Sequence, residues 1–463
     1  MPTPPKISWS DLGGARVGLW GLGVEGRANL RRLAAMGCVP VLVDDHPDGA
    51  AEAAAEAGRP VLATVPEGLA ALERCEVVVK SPGISRYRPE VRRLEAAGMA
   101  VVGGLGLWMA GADRRRVACV TGTKGKSTTT AIAGHLLRRL GYDALVGGNI
   151  GLAPWDPAAG EHHDYWLIET SSFQVTDLAI GPSVVAVTSL HPDHLDWHGD
   201  PPTYFADKLA LCTLPGVGHV VANGDDPLLR ARPELAGPDV EWVGGPPTAA
   251  DAWVEGLGLP GAHNARNARL GAAVLRALGV PEAGDPGALA GAAPGFDPLP
   301  SRLQVIGSLD GVTFVDDSLS TNALSAAVAI RSFPGRPLAA LVGGQDRGID
   351  YGDLAVAIAE RDAPTLVLCM GASGARVADA LRHAEAPAGA APTPPRADGA
   401  PGLEVVELPE PTDLHDATAR AYRWARPGGV VLLSPAAPSF DAFVDYRHKA
   451  GVFAQAARAL GAA

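Results

Sequence analysis

A glycine- and lysine-rich loop has the residue types that bind phosphate groups. Residues 121–129 read Thr-Gly-Thr-Lys-Gly-Lys-Ser-Thr-Thr and follow an apolar, β-branched run. Between a strand and a helix, such a loop turns backbone N–H groups toward phosphate oxygens; Lys126 adds positive charge, and Ser127 or Thr128 can ligate Mg²⁺. Val120 stands where the common motif has glycine, so the loop is a shortened form. The sequence predicts an ATP and Mg²⁺ site whose nucleotide-binding residues include Gly122, Thr123, Lys124, Gly125, Lys126, Ser127 and Thr128.

A second glycine motif precedes this loop. Residues 21–26 read Gly-Leu-Gly-Val-Glu-Gly after one apolar run, and the next apolar run ends in two aspartates. Glycines let the backbone approach a diphosphate at a helix N-terminus, and a carboxylate at a strand end can bind a ribose hydroxyl. The pattern does not separate NAD from another diphosphate nucleotide, and the glycines could serve only a tight turn. The candidate ligand-binding residues are Gly21, Gly23, Val24, Glu25, Asp44 and Asp45.

Carboxylates and imidazoles follow two later apolar runs. Residues 169–174 read Glu-Thr-Ser-Ser-Phe-Gln, and residues 191–198 read His-Pro-Asp-His-Leu-Asp-Trp-His. The carboxyl ends of parallel strands meet at one edge of a sheet, where Mg²⁺ would need oxygen ligands and one imidazole. We therefore expect both clusters to face the phosphate loop.

Two other interpretations of these residues remain open. Zinc bound by His191, His194 and His198 is disfavoured by Pro192 and the acidic neighbours, and His191 and His198 could instead be surface loop histidines. Lys208 follows on a predicted helix beside the same crevice. Taken alone, one such lysine is usually solvated.

The elements that position these residues are those of an α/β protein. Apolar β-branched runs alternate with Ala-, Leu- and Arg-rich helical patterns, which indicates parallel sheets covered by helices. Breaks near Ala112 and Pro300 predict three domains, at residues 1–112, 113–300 and 301–463. Two Ala-, Pro- and Gly-rich segments, 279–300 and 387–402, are predicted as an interdomain connector and a surface loop without a packed face. Strands are predicted at 17–20, 39–43, 77–79, 117–120, 165–168 and 184–189.

Composition excludes several classes of protein. The 463 residues carry a net charge of −12, which argues against binding nucleic acid through phosphate contacts. No apolar run approaches the roughly 18–20 residues of a membrane span. Five cysteines without a Cys-x-x-Cys pair fit reduced core thiols. With no export signal visible, we expect a cytoplasmic protein with no membrane or nucleic-acid partner.

Together these motifs resemble the Mur ligase family, the ATP-dependent amino-acid ligases of peptidoglycan precursor synthesis, and within it the MurD-type branch that adds glutamate. The resemblance covers nearly the whole chain. Motifs in family order include residues 21–26, 81–84, 122–127, 147–151, 169–174, 193–194, 208, 261–267, 300–302, 316–322, 343–348 and 434–439.

The resemblance implies a fold and a reaction. It implies a Rossmann-like first domain that binds the UDP of a UDP-sugar and a central P-loop ATPase-like domain. The implied third domain is also Rossmann-like; it carries glutamate and closes over ATP. It implies phosphorylation of the precursor carboxylate by ATP and attack of an amino-acid amine on the acyl phosphate. The implied partners are UDP-N-acetylmuramoyl-L-alanine and glutamate, and we expect a monomer.

The resemblance also implies roles for individual residues. The implied magnesium ligands are Ser127 or Thr128 at one ion and Glu169 and His194 at a second ion, and a carbamylated Lys208 is implied as a further, anionic magnesium ligand. The implied catalytic residues are Lys126, Glu169, His194 and Lys208. The implied precursor-binding residues are Asn149, Ser171 and Gln174. The residues implied to handle adenosine and phosphate are Asn264, Arg302 and Asp317. The implied glutamate pocket comprises Thr321, Arg347, Ser439 and Tyr446.

Departures from the MurD-type pattern concentrate in the third domain. Leu319 and Ser320 stand where the branch usually has Lys-Ala, Ser301 where histidine is common, Tyr446 where phenylalanine is common, and Lys449 where arginine is usual. The change at 319 removes a cation near the expected amino-acid pocket. Clustering of these changes favours altered handling of glutamate, as in the subfamily that adds L-glutamate.

Four alternatives stay open at this point. They are a MurD-type enzyme that adds D-glutamate, another Mur or folylpolyglutamate-type ligase, a catalytically silent nucleotide-binding regulator, and an NAD oxidoreductase. The fingerprint domain disfavours the folate enzyme, and the Lys126 loop disfavours the oxidoreductase. Lys126, Glu169, His194 and Lys208 argue against the silent regulator, whereas Leu319 keeps it open.

Overall fold

The protein has an α/β fold built on three separate sheets, as predicted. The computed structural model describes residues 4–237, 239–383, 393–395, 399 and 401–462. Most of the predicted surface loop at 387–402 lies outside the described residues. Within the described residues, no helix combines the length and apolar character needed to span a membrane.

The first sheet is parallel, with strand order β3-β2-β1-β4-β5. Its strands are β1 (Val17–Trp20), β2 (Val41–Asp44), β3 (Leu62–Ala63), β4 (Val77–Lys80) and β5 (Ala100–Gly103). Its helices are α1 (Val24–Ala35), α2 (Ala51–Ala57), α3 (Leu69–Leu72), α4 (Pro89–Ala96) and α5 (Gly104–Gly111). The second strand begins two residues later than expected because Pro40 lacks a backbone N–H for the ladder. All four residues of β1 and of β4 are buried.

The second sheet is also parallel, with strand order β11-β10-β9-β6-β8-β7. Its strands are β6 (Val117–Thr121), β7 (Ala144–Gly148), β8 (Tyr165–Glu169), β9 (Val184–Val187), β10 (His219–Asn223) and β11 (Val240–Val243). The helices of this part of the chain are α6 (Lys126–Arg139), α7 (Ser172–Val175), α8 (Leu195–His198), α9 (Pro201–Leu209), α10 (Pro227–Arg230), α11 (Ala262–Ala277) and α12 (Pro286–Ala292). The prediction that a strand continues to residue 189 is wrong. It ends at Val187 because the Thr188 hydroxyl donates to Thr121 O and Lys124 O and takes the chain into the phosphate loop.

The third sheet has strand order β12-β13-β17-β14-β15-β16 and is parallel except for the antiparallel pair β12 and β13. Its strands are β12 (Gln304–Leu309), β13 (Val312–Asp316), β14 (Leu338–Val342), β15 (Thr365–Cys369), β16 (Leu403–Glu407) and β17 (Val430–Leu433). Its helices are α13 (Ala323–Arg331), α14 (Gly352–Ala359), α15 (Gly374–Arg382), α16 (Leu414–Ala425) and α17 (Tyr446–Leu460).

The three sheets lie in two compact units. One unit comprises residues 1–257 and 266–296 and contains the first two sheets. The other comprises residues 258–265 and 297–463 and contains the third sheet. The boundaries at 112 and 300 remain predictions of the sequence pattern.

The prediction that 279–300 lacks a packed face is wrong. Residues 286–292 form α12, in which Leu289 and Ala292 are buried. Asp285 caps the helix by accepting a hydrogen bond from the Gly287 N–H, and Pro286 occupies the first helical position, where its missing N–H costs nothing. Two buried apolar residues and a cap are therefore enough to pack a helix in a segment rich in glycine and proline.

A buried ionic cluster joins the first sheet to the second. Lys80, at the end of β4, donates from Nζ to Asp177 Oδ2 at 2.6 Å and to Ile84 O at 2.9 Å. Arg86 donates from Nη1 to Asp177 Oδ1 at 2.8 Å and also pairs with Glu95. The side chains of Lys80, Arg86 and Asp177 are at most 2% exposed. Asp177, just beyond α7, thus fixes that turn of the second sheet against the first.

We expect Asp177→Asn to lower the free energy of unfolding by about 3–5 kcal/mol, because two buried cations lose their counter-charge. Urea unfolding followed by tryptophan fluorescence measures this, since eight of the nine tryptophans belong to the unit with the first two sheets and only Trp424 does not. The matched control is Arg276→Ala, which breaks the exposed 2.6 Å pair with Glu241 in the same unit. Its expected cost is below about 1 kcal/mol. Equal costs for the two variants would contradict the assigned role of the cluster.

Candidate active site

The phosphate loop is held in shape by close contacts at two glycines. Gly122 has φ of +134° and Gly125 has φ of +91°, a range that side chains other than glycine rarely adopt. A Cβ on Gly122 would overlap the Thr188 hydroxyl, and one on Gly125 would lie 2.7 Å from Asn267 Oδ1. The Thr123 and Lys124 N–H groups donate to Ser189 O and Ser189 Oγ, each at 2.8 Å. The loop is therefore hydrogen-bonded to the segment that directly follows β9.

Helix α6 begins directly after this loop, and its first residue is Lys126. Its first-turn N–H groups have no intrahelical acceptor and carry the positive end of the helix dipole, which favours an anion there. Lys126 Nζ lies over the loop, 2.9 Å from Gly122 O and 3.1 Å from Thr123 O. Ser127 is buried and Thr128 half-buried in the same turn. Residues 122–128, predicted to bind the nucleotide phosphates, thus form one loop and the first turn of one helix.

Glu169 lies at the end of β8, beside the β6 strand that leads into the loop. Its Oε1 accepts a 2.7 Å hydrogen bond from Asn149 Nδ2, and the Asn149 N–H donates to Glu169 O at 2.9 Å. The other carboxylate oxygen, Oε2, is buried and has no hydrogen-bond partner. A buried carboxylate oxygen without a donor is expensive, so this atom is suited to a cation.

Lys208 is buried, contrary to the solvated position that a single helical lysine suggests. It is 2% exposed, and its Nζ donates to Gly122 O at 3.1 Å. The same Nζ lies 4.9 Å from the centre of the Tyr204 ring. Burial lowers the pKa of Lys208 well below its usual value, and the nearby charge of Lys126 lowers it further. The sequence placed Lys208 correctly beside the loop but could not show that helix α9 buries it.

The imidazole cluster is split by the fold. His194 is half-exposed, has φ of +51°, and packs edge-on against Phe173 with ring centres 5.0 Å apart. Burial lowers its pKa and Asp193 partly opposes that shift. His198 is buried in hydrogen bonds to Ser172 and Asp207, so the expectation of a surface histidine there is wrong. Among the residues that the structure describes, no three His, Cys, Asp or Glu side chains form a metal cluster, which leaves the zinc interpretation without support.

The first-sheet glycines make the expected tight strand-to-helix turn. Gly21 has φ of +88°, and a Cβ on Gly26 would overlap the Gly21 carbonyl. The Asp44 carboxylate accepts from the N–H groups of Leu22 and His46, at 2.7 and 2.8 Å. Asp44 thus braces the turn itself. Gly23 and Val24 are exposed at its tip.

Asp45 has a different set of partners. It accepts hydrogen bonds of 2.6 Å from both Thr64 Oγ1 and Arg88 Nη1, while its side chain remains 33% exposed. A ribose hydroxyl could share this carboxylate more readily than that of Asp44, whose two oxygens accept backbone hydrogen bonds. Of the two aspartates, we therefore favour Asp45 as the ribose-binding residue.

The predicted precursor-binding residues Ser171 and Gln174 form a capping box at the start of α7. The Gln174 N–H donates to Ser171 Oγ at 3.2 Å, and the Ser171 N–H donates to Gln174 Oε1 at 2.9 Å. Gln174 Nε2 then donates to Glu25 Oε2 at 2.9 Å. Burial raises the pKa of Glu25 to about 7, and the Gln174 hydrogen bond opposes that shift. The turn carrying Ser171 is thereby connected to the glycine motif of the first sheet.

In the second compact unit, two adjacent buried carboxylates lie at the end of β13: Asp316 is the last residue of the strand, and Asp317 follows it. Asp317 Oδ2 accepts from the Ser320 hydroxyl at 2.6 Å and from the Ser434 hydroxyl at 2.7 Å. Asp316 Oδ2 accepts from the Ser301 hydroxyl at 2.9 Å. Burial raises the pKa of Asp317 to about 7, although both serine hydroxyls oppose the shift. Serine hydroxyls therefore provide the side-chain donors to these two acids.

The other predicted residues of this unit differ in exposure. Thr321 and Arg347 are exposed, Tyr446 begins α17, and Arg302 is half-buried. Asn264 is buried and donates to Pro260 O at 2.8 Å. Ser439 is 2% exposed, and its hydroxyl is buried without a hydrogen-bond partner.

Comparison with known proteins shows to which family the protein belongs. Residues 120–257 match the Mur ligase middle domain, and residues 301–437 match the Mur ligase glutamate ligase domain. The chain is 40% identical over 97% of its length to a UDP-N-acetylmuramoyl-L-alanine–L-glutamate ligase of Xanthomonas axonopodis pv. citri, covering 96% of that protein. It belongs to the Mur ligase family. A relative of the same name from a Micromonospora species is also 40% identical, over 97% of this chain and 98% of its own.

A solved Mur ligase structure shares the fold at low sequence identity. The UDP-N-acetylmuramate-alanine ligase MurC of Thermotoga maritima superposes with a TM-score of 0.53 at 17% identity, over 96% of this chain and all of that one. As a Mur ligase, the chain is an ATP-dependent amino-acid ligase of peptidoglycan precursor synthesis. The oxidoreductase interpretation of the glycine motif at 21–26 is therefore wrong: this motif occurs in a ligase.

The residues of this Mur ligase fit a magnesium nucleotide. Glu169 Oε2 is a buried oxygen without a donor, and Ser127 supplies a hydroxyl beside the phosphate cradle. Mg²⁺ prefers such oxygen ligands and shares them with substrate phosphates. Asn149 holds the other Glu169 oxygen and so fixes the orientation of the carboxylate.

Several residues that shape this Mur ligase were missed from the sequence. Lys80, Arg86 and Asp177 form the buried cluster described above, and only the position of Lys80 before the 81–84 motif could have suggested it. Lys449, recognised only as a departure, is 1% exposed and donates to Gly343 O at 2.8 Å. It anchors the 343–348 loop that carries Arg347. Burial lowers the pKa of Lys449 to about 8.

The serine donors at Asp317 predict a change in pH dependence. We expect Ser320→Ala to raise the Asp317 pKa further, because a hydrogen bond that favours the ionised form is lost. If catalysis uses the carboxylate, the acidic limb of kcat/KM for ATP moves to higher pH by about one unit. Ser325→Ala is the matched control. The Ser325 N–H, which the substitution keeps, donates to Asn322 Oδ1, so the change removes a nearby serine hydroxyl without removing a donor to Asp317. An unchanged acidic limb in Ser320→Ala would show that Asp317 does not titrate in the cycle.

Proposed function

We propose that this Mur ligase joins L-glutamate to the L-alanine carboxylate of UDP-N-acetylmuramoyl-L-alanine, with ATP converted to ADP and phosphate. The observation that carries the substrate assignment is the pair of relatives at 40% identity over 97% of the chain, both named as L-glutamate ligases for that precursor. The concentration of sequence departures in the 301–449 region supports the same enantiomer.

The first step transfers a phosphoryl group to the precursor. A carboxylate oxygen of the L-alanine end attacks the γ-phosphorus, ADP leaves, and an acyl phosphate forms. The chain contributes electrostatic stabilisation: the first-turn N–H groups of α6 and the Lys126 ammonium face developing negative charge. Mg²⁺ would supply further positive charge at the phosphate oxygens and would be held by Ser127, Glu169 and His194, with Lys208 as a carbamate. No nucleophilic serine or cysteine is needed.

The second step forms the amide bond. The glutamate amine attacks the acyl carbon and forms the C–N bond of a tetrahedral intermediate, whose nitrogen loses a proton to solvent. Inorganic phosphate then leaves as the carbonyl is restored. The proposed pocket for the two glutamate carboxylates uses Arg347 as the cation and Thr321, Ser439 and Tyr446 as hydroxyl donors. The unpartnered, buried Ser439 hydroxyl supports this assignment.

The precursor is proposed to span both sheets of the first compact unit. Its uridine diphosphate would lie at the turn after β1, near Asp45, and its peptide end at Asn149 and the Ser171–Gln174 capping box. The 2.9 Å hydrogen bond between Gln174 and Glu25 supports a continuous site, because it joins these two regions.

The test is a ligation assay with purified protein, ATP, Mg²⁺ and UDP-N-acetylmuramoyl-L-alanine, offered L-glutamate or D-glutamate separately. We expect phosphate release and a dipeptide product with L-glutamate and at least about 100-fold lower kcat/KM with D-glutamate, which amounts to about 3 kcal/mol of discrimination. Turnover with D-glutamate alone would overturn the stereochemical assignment. Nucleotide and precursor binding without turnover of either enantiomer would favour a silent regulator instead.

A further inference from the structure

A continuous hydrogen-bonded network of four side chains lies beside the candidate active site and comprises Tyr87, Ser172, His198 and Asp207. Ser172 Oγ is 2.9 Å from His198 Nε2, and His198 Nδ1 is 2.7 Å from Asp207 Oδ2. The Tyr87 hydroxyl contacts both Asp207 oxygens, at 2.9 and 2.8 Å. Ser172, His198 and Asp207 are all buried. This network could not be predicted from the sequence, because its members come from positions 87, 172, 198 and 207.

A serine, histidine and aspartate hydrogen-bonded in this order also occur in the catalytic triad of hydrolases, where the serine is the nucleophile. Burial excludes a nucleophilic role for Ser172. Ser172 is 2% exposed and the His198 side chain is fully buried, so no substrate reaches the hydroxyl. The donors and acceptors instead satisfy one another. With the proton on Nδ1 donated to Asp207, Nε2 accepts from the Ser172 hydroxyl while Tyr87 donates to the same carboxylate.

This hydrogen-bonded network connects segments of the candidate active site whose spacing must stay fixed. Ser172 follows Ser171 in the capping box of α7, and Asp207 immediately precedes Lys208 in α9. Lys208 in turn contacts Gly122 O of the phosphate loop. Tyr87 lies in the segment between β4 and α4 of the first sheet. One imidazole therefore links the proposed precursor site, the Lys208 helix and the first sheet.

The surrounding aromatic side chains leave little freedom to this imidazole. Its ring packs against Trp197 at 4.4 Å and against Tyr204 at 5.1 Å between ring centres. The Tyr204 hydroxyl is 3.0 Å from Thr123 Oγ1 of the phosphate loop. A ring that contacts two aromatic side chains and is hydrogen-bonded at both nitrogens holds one orientation.

We propose that His198 is a positioning residue for the ligase reaction, which sets the spacing between the Ser171–Gln174 turn and Lys208 through its hydrogen bonds to Ser172 and Asp207. This inference deepens the proposed function and rests on it for the kinetic readout. The residue acts through its neighbours and makes no contact with reacting atoms.

The test compares His198→Phe with a matched control. Phenylalanine keeps the ring and its packing but removes both hydrogen bonds. We expect kcat to fall about 10- to 100-fold while KM for ATP changes less than about twofold, because misplacement by about 1 Å lowers the rate without altering the phosphate loop. The control, His163→Phe, also loses two imidazole hydrogen bonds, to Asp143 Oδ2 at 2.9 Å and Ala159 O at 2.8 Å, and keeps its edge contact with Trp166. It should retain kcat within about twofold.

A conservative variant separates positioning from mere packing. The amide nitrogen of His198→Asn can replace Nδ1 as the donor to Asp207, so this variant should recover most of the lost kcat. Ser172→Ala added to His198→Phe should cause little further loss, because the two residues act through one hydrogen bond. Failure of the asparagine variant to exceed the phenylalanine variant would overturn the assigned contact with Asp207.

Hydrogen exchange of the free protein provides a readout that needs no turnover. His198→Phe should speed amide exchange in residues 171–176 and 201–209, whereas His163→Phe should not. A wild-type protein that ligates neither enantiomer would refute the proposed function, and exchange would still decide the positioning role. Wild-type kcat and unchanged exchange in His198→Phe would overturn the inference itself.

Discussion

Lys126→Ala is expected to lower kcat by about 10²- to 10⁴-fold without unfolding the protein. A positioned cation at a transferring phosphoryl group contributes most of its energy in the transition state, so its loss appears in kcat. The fold should survive because the Lys126 ammonium contacts loop carbonyls, at 2.9 and 3.1 Å, outside the apolar core. Steady-state kinetics with saturating ATP and thermal unfolding measure the two effects together.

The matched control for Lys126→Ala is Arg139→Ala at the opposite end of α6. Arg139 is exposed and ends the helix that Lys126 begins. A helix of this length places the two residues about 20 Å apart, so Arg139→Ala should keep full activity. Lys126→Arg should restore little, since a guanidinium does not replace a compact ammonium in a narrow phosphate cradle. Near-normal turnover in Lys126→Ala would remove the role assigned to this residue.

The fold class and the first site residues could be predicted because their signals are local. An apolar run followed by glycines fixes the strand, the turn and the helix start within about ten residues of one another, as at 17–26 and 117–127. The same local pattern could not show burial of Lys208. That burial depends on how α9 packs against Gly122, which lies 86 positions earlier in the chain.

Contacts between distant segments explain most of what the sequence did not predict. The Lys80–Asp177 pair joins residues 97 positions apart, and the Tyr87–Asp207 hydrogen bond joins residues 120 positions apart. The polar character of these residues suggests surface positions when each is considered alone. Only the tertiary structure shows that they satisfy one another in the interior.

Leu319 stands where the MurD-type branch usually has lysine, and other departures from that pattern surround it. Leu319 is half-buried, and its N–H donates to Ser301 O at 3.2 Å, so two of the departures are adjacent in space. Ser301 and Ser320, both departures, donate to Asp316 and Asp317. The segment has thus exchanged a cation for hydroxyl donors around two buried acids. We interpret the loss of charge as one change in a coordinated local set rather than as a loss of the catalytic site.

Lys208→Ala is expected to lower kcat by about 10²- to 10⁴-fold and to regain part of it with added formate or acetate. Burial and the nearby charge of Lys126 lower the pKa of the Lys208 amine, which makes its neutral, nucleophilic form more accessible than that of an exposed lysine. Attack of the neutral amine on carbon dioxide would form an N–C bond and release one proton to solvent, which leaves an anionic carbamate on the side chain. Beside Lys126 and Lys124, an anion is electrostatically preferable to a third positive charge.

The rescue experiment has an internal control in Lys126→Ala. A short carboxylate can occupy the space left by the Lys208 side chain and replace an anionic magnesium ligand, but it cannot replace the Lys126 cation. Formate should therefore raise the turnover of Lys208→Ala in a saturable manner and leave that of Lys126→Ala unchanged. Equal rescue of both variants would indicate a general salt effect. Full activity of Lys208→Ala without any additive would show that the buried amine serves packing rather than catalysis.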